Sequence, residues 1–102
     1  MTGREVLAVP METNDSGATT IRGYLVALVR AVLAENEGFS GKRPFGNSGW
    51  EWDLYVALGR AGAIRVRMDE EGDVEDIAPS QQKKADGLLR LALDALAVES
   101  VL

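Results

Sequence analysis

Apolar residues recur along this chain with two different periods, and each change of period marks an element. The stretch TTIRGYLVALVRAVLAENE, Thr19 to Glu37, sets Ile21, Leu25, Leu28, Val29 and Val32 at helical spacing behind Thr19 or Thr20, either of which offers a hydroxyl N-cap. Tyr24, Val26, Ala27, Ala31 and Leu33 put further apolar groups on the other faces, and Arg22 and Arg30 are the only charges before Glu35. A helix apolar nearly all round is buried on more than one side. The pattern predicts a central helix or one whose outer face meets a second copy, hence a homo-oligomer formed through Ile21 to Leu33.

The helical period breaks at NEGFSGKRPFGNS, Asn36 to Ser48, where glycines and Pro44 predict a loop. SGWE then has the capping-box spacing, with Ser48 as cap and Glu51 reaching back to it. The second helix is predicted to carry Trp50, Leu54, Ala57 and Leu58 on one face and to end at Gly62, a residue suited to a left-handed C-cap. Gly59 weakens its last turn. AIRVRM, Ala63 to Met68, switches to period two, with Ile64, Val66 and Met68 on one face and Arg65 and Arg67 on the other. The turn DEEGD and the shorter apolar pair Val74 and Ile77 complete a β-hairpin, on which Arg65 and Arg67 would face Glu75 and Asp76. Ser80 offers a cap for a closing helix with Leu88, Leu89, Ala92, Ala95 and Leu96 on its buried face. At the other end EVLAVP, Glu5 to Pro10, reads as a short strand stopped by proline, and METNDSGATT as a polar connector. The expected fold is therefore α+β, a single globular domain over residues 1–102 in the order helix, helix, β-hairpin, helix. It is winged-helix-like in layout, with a short N-terminal strand and partial disorder allowed in residues 1–18.

Composition narrows what this domain can do. At 102 residues, 46% hydrophobic and 26% charged, the chain is an ordinary globular one of a size that buries about two-thirds of its unfolded surface. It has neither cysteine nor histidine, which removes disulfides, thiolate metal sites, thiol nucleophiles and the side chain best suited to move protons near neutral pH. The start, MTGREVLAVPMETND, does not resemble a signal peptide, and no apolar run reaches the length of a membrane span. A cytoplasmic protein without membrane contact is expected. The formal net charge is −5, and six of the sixteen acids lie in DEEGDVED, Asp69 to Asp76. The rest is nearly balanced, so nucleic acid and anionic membranes are not expected partners.

The candidate chemistry is correspondingly thin. Gly72 would have to be the sixth residue of a calcium loop, which makes Arg67 the first ligand and rules the motif out. The acidic run reads as a solvated hairpin tip. Lys42 and Arg43 precede a helix N-terminus, where an anion is favoured, but the spacing of a nucleotide-phosphate loop is missing. Ser40, Ser48, Ser80 and Ser100 have no histidine beside them in any signature, Lys83 and Lys84 form no serine–lysine motif, and Glu51 and Asp53 diverge around their helix. No enzyme, metal or cofactor is expected. Trp50 and Trp52 point about 200° apart, so one of them, Trp52 by the pattern, is left half exposed or in an interface. Were the second helix to enter a DNA groove, its leading residues would be Trp50, Glu51, Trp52 and Asp53, and the wing would carry six acids. That charge argues against the DNA-binding alternative.

GKRPFGNSGWEWDLYVALGRAGAI followed by DEEGDVEDI resembles a segment of small uncharacterised proteins encoded by phages of actinobacteria, mycobacteriophages among them. The similarity runs from Phe39 to Ile77, and GKRPFGNS is its specific part. The resemblance implies an origin and a class, a small phage accessory protein that binds a host or phage protein, and no activity or cofactor. The expected contact is Lys42, Arg43, Phe45, Asn47, Trp50 and Trp52, with the acidic hairpin second; the alternative function is winged-helix-like DNA binding or transcription modulation.

Overall fold

A computed structural model describes residues 1–12, 16–34 and 50–99, without the side chains of residues 31–34 and Trp50. Helices α1 (Gly3–Leu7), α2 (Ile21–Ala34) and α3 (Trp50–Arg60) are followed by strands β1 (Arg67–Met68) and β2 (Val74–Asp76) and by helix α4 (Pro79–Val98). The α+β arrangement of helices around one antiparallel hairpin is the one that the change of period predicts.

The N-terminal strand is corrected to a helix. Thr2 accepts from the Glu5 N–H at 3.2 Å while the Glu5 carboxylate accepts from the Thr2 N–H at 2.8 Å. This closed capping box fixes the first turn, and α1 then buries Val6 and Leu7 completely. Among the described residues one isolated antiparallel bridge follows, Pro10 to Thr20, flanked by bonds from Met11 N–H to the Thr19 carbonyl and from Ile21 N–H to the Val9 carbonyl. The bridge lays residues 9–11 against the entrance of α2. There Thr20, rather than Thr19, caps the helix, its hydroxyl accepting from the Gly23 N–H at 3.3 Å.

One core joins the four described helices and the hairpin: Val6 and Leu7 of α1, Ile21, Tyr24 and Leu25 of α2, Leu54 and Leu58 of α3, Ile77, and Ala85, Ala92 and Leu96 of α4 are each buried. A fully buried side chain of this size stabilises by about 1.5–3 kcal/mol relative to an exposed one, so α2 owes its all-round apolar surface in part to a central place. Helix α1 packs chiefly on α4, so closely that a Cβ on Gly3 would lie 2.3 Å from the Leu91 carbonyl oxygen. Glu99, just past α4, receives Arg22 through two bonds of 2.6 and 3.0 Å, with Arg4 at 4.0 Å. The Arg22 hydrogen bonds hold the Glu99 carboxyl below the ordinary range.

Helix α3 ends as its glycine predicts. Gly62 has φ +78°, Ala63 N–H bonds the Leu58 carbonyl at 2.9 Å and Gly62 N–H the Gly59 carbonyl at 3.1 Å, a Schellman motif. Gly59 serves packing: a Cβ there would meet Val66 Cγ1 at 2.5 Å. The strand beyond is shorter than the alternation predicts. Ile64 is buried and Val66 half-buried, but Met68 is exposed, because the hairpin extends past the core it covers. Arg67 pairs with Asp76 and Met68 with Val74 in the ladder, so Glu75 is bulged and its carboxylate reaches Arg67 at 3.4 Å. Arg65 instead donates its backbone N–H to the Gln81 side chain. Ser80 is not the cap of α4; Ala78 holds that place and Pro79 opens the helix, where a missing N–H costs nothing.

Candidate functional site

The buried face of α3 consists of Leu54, Tyr55, Ala57 and Leu58. Trp52 lies two residues before Leu54, about 200° around the helix from it, and is left 37% exposed. Val56 and Arg60 follow at four-residue steps on the same side. This stripe faces Pro10, Met11 and Glu12 across an open groove of about 310 Å³, whose far wall is Asp73 and Val74 of the hairpin. A second hollow of about 280 Å³ continues past Arg60 toward Ala61.

Arg60 braces the groove. Its Nε lies 2.6 Å from Glu12 Oε1, and its Nη2 donates to the Gly72 carbonyl at 3.2 Å and lies 4.0 Å from Asp73 Oδ1. One guanidinium thus ties the last turn of α3 to the N-terminal connector and to the hairpin tip, using the donors that make arginine suited to several acceptors at once. The tip is itself ordered by Asp69, whose Oδ1 accepts the N–H groups of Glu71 and Asp73 at 2.9 and 3.0 Å, with Gly72 at φ +86°. At the other end of the groove Asp53 Oδ2 accepts from the buried Tyr24 hydroxyl at 3.1 Å.

The two surfaces singled out in the sequence, the Lys42–Trp52 segment and the acidic hairpin, meet here through Trp52 and Asp73. Of the predicted contact residues only the Trp52 side chain belongs to the described part. Lys42, Arg43, Phe45, Asn47 and the Ser48 capping box lie outside it, as does the Trp50 side chain, whose backbone opens α3. Residues that the sequence reading missed are Met11, Glu12 and Arg60. The spacing Trp52–Val56–Arg60 signals a shared face, but nothing in the sequence signals that residues 10–12 cross it.

Glu51 lies on the other side of α3, beside a hollow of about 220 Å³ floored by Leu25, Leu54, Leu89 and Leu93. There the Tyr55 hydroxyl donates to Asp86, and burial first, then that carboxylate, pushes the phenol pKa up from its ordinary value. Asp53 and Glu51 are thus separated by the body of their helix. Among the described residues no three acidic side chains are placed to hold a metal ion, and no helix is long and apolar enough to cross a membrane. Compared with known proteins, the chain matches no family model, no curated protein and no solved structure.

Proposed function

We propose that the protein acts without catalysis, by binding another protein through the groove beside Trp52. The observation that carries this reading is a tryptophan more than one-third exposed on a groove whose walls are held in place by Arg60. Tryptophan is enriched among the residues that dominate binding energy, and a braced wall reduces the ordering cost of association. The groove is open along its length, which suits a polypeptide segment better than an enclosed small ligand. On the resemblance carried by GKRPFGNS, the partner is a host or phage protein met in the bacterial cytoplasm. Duplex DNA gains no support: α3 presents Glu51 and Asp53 beside Trp52, and the hairpin tip is acidic and exposed.

Self-association through α2 is part of the same proposal, since Val26, Ala27 and Val29 are only half-buried within one chain. The test of the groove is site-specific photo-crosslinking in actinobacterial lysate, with the crosslinker at position 52 and, as control, at the exposed Lys84. An adduct of discrete mass formed at position 52 and not at 84 is expected. No adduct, or equal adducts at both positions, overturns the assignment.

A further inference from the structure

The groove beside Trp52 is not electrically neutral. Among the described residues it is lined by three carboxylates, Glu12, Asp53 and Asp73, against one guanidinium, Arg60. We propose that it docks a cationic segment of the partner protein, a stretch bearing lysine or arginine that lies against Trp52 between Asp53 at one end of the groove and Asp73 at the other. This inference rests on the protein-binding reading above and specifies its chemistry.

Three features of the site favour a cation. Arg60 is already engaged by Glu12, the Gly72 carbonyl and Asp73, so its charge is compensated on the spot, and the described lining keeps an excess of two negative charges. The field does not end at the wall, because Asp69, Glu70 and Glu71 are exposed on the same hairpin tip, and like charges along a cleft raise the local concentration of the opposite ion. The indole supplies the third feature, since a cation over an exposed aromatic face is attracted by the ring, more strongly where water is excluded.

The spread of the carboxylates selects the kind of cation. They do not converge as a metal site would; they stand on three separate segments around an aromatic side chain. That arrangement fits an organic cation on a long apolar stem, which can lie along Val56 and Val74 while its head reaches the acids. Asp53 is the fixed point: the Tyr24 hydroxyl holds one of its oxygens at 3.1 Å, and a carboxylate accepts on two.

The test selects a random, ribosome-displayed peptide library on the intact protein and keeps the peptides that bind wild type and not Trp52→Ala. Those peptides, synthesised and labelled, are then titrated against Asp53→Asn/Asp73→Asn and against wild type in rising salt. Lysine- or arginine-bearing peptides are expected, with binding about tenfold weaker to the double variant and weaker in salt. Asp73→Asn alone, on the exposed tip, replaces the double variant where circular dichroism shows that it does not fold, and the salt series needs no variant. Trp52-dependent peptides that are neutral or acidic, or basic ones indifferent to both neutralisation and salt, overturn the cationic inference while leaving the groove as a protein-binding site. A library that yields no Trp52-dependent peptide overturns both.

Discussion

The Arg60 guanidinium lies 2.6 Å from the Glu12 carboxylate, and this one contact spans the groove between the N-terminal connector and α3. Its partners are largely exposed, Glu12 by 63% and Asp73 by 71%, so the pairs are worth little as stability. Arg60→Ala is expected to lower the unfolding free energy by no more than about 1 kcal/mol, measured by urea denaturation, while weakening partner binding by a larger factor. A loss of stability above about 3 kcal/mol would show that Arg60 holds the fold rather than the groove.

Gly59 offers a sharper test of packing. In an open helix, alanine for glycine stabilises by up to about 1 kcal/mol. Here the added methyl would meet Val66 Cγ1 at 2.5 Å, and a β-branched side chain has few rotamers with which to give way. Gly59→Ala is therefore expected to destabilise by about 1–3 kcal/mol in the same assay, and a gain in stability would contradict the close contact of α3 with Val66.

Tyr55 predicts a dependence on alkaline pH. Burial and the hydrogen bond to Asp86 raise its folded pKa above the ordinary value of 10.0. A raised folded pKa contributes stability that is fully present below the unfolded pKa and is lost as pH rises from there toward the folded value. The thermal midpoint of wild type should fall above about pH 10 more steeply than that of Tyr55→Phe, which at neutral pH gives up about 1 kcal/mol for the lost bond. Parallel alkaline limbs in the two proteins would exclude Tyr55 as the source.

Helix α2 carries the expectation of a homo-oligomer. Ile21, Tyr24, Leu25 and Leu28 are buried within the chain, whereas Val29 is half-buried beside the exposed Arg30. Val29→Glu is expected to shift the sedimentation distribution to a smaller species while the far-ultraviolet circular dichroism is retained. An identical distribution for wild type and variant would remove this face as an interface.

The legible parts of the fold are those whose signal is local. The period of α3 and α4, the Gly62 terminus and the acidic turn all follow from residues within a few positions of one another. The N-terminal segment misled because VLAV is too short for its period to distinguish strand from helix, although Thr2 and Glu5 stand at capping-box spacing and carry the deciding signal. Likewise Pro79, preset for the first helical position, outweighs Ser80 as the start of α4. Trp52 was recognisable from the angle between the two tryptophans. The groove was not, because Glu12, Trp52 and Asp73 come from three distant segments, and only packing brings them together.

The central claim is that Trp52 and its groove bind a protein. Its most direct measurement is quantitative affinity capture from actinobacterial lysate with folded wild type, Trp52→Ala and, as surface control, Lys84→Ala. A protein enriched by wild type and by Lys84→Ala, and reduced at least about tenfold with Trp52→Ala as for a central interface tryptophan, is the result predicted. Equal enrichment by all three, or no reproducible enrichment by wild type, would contradict the claim.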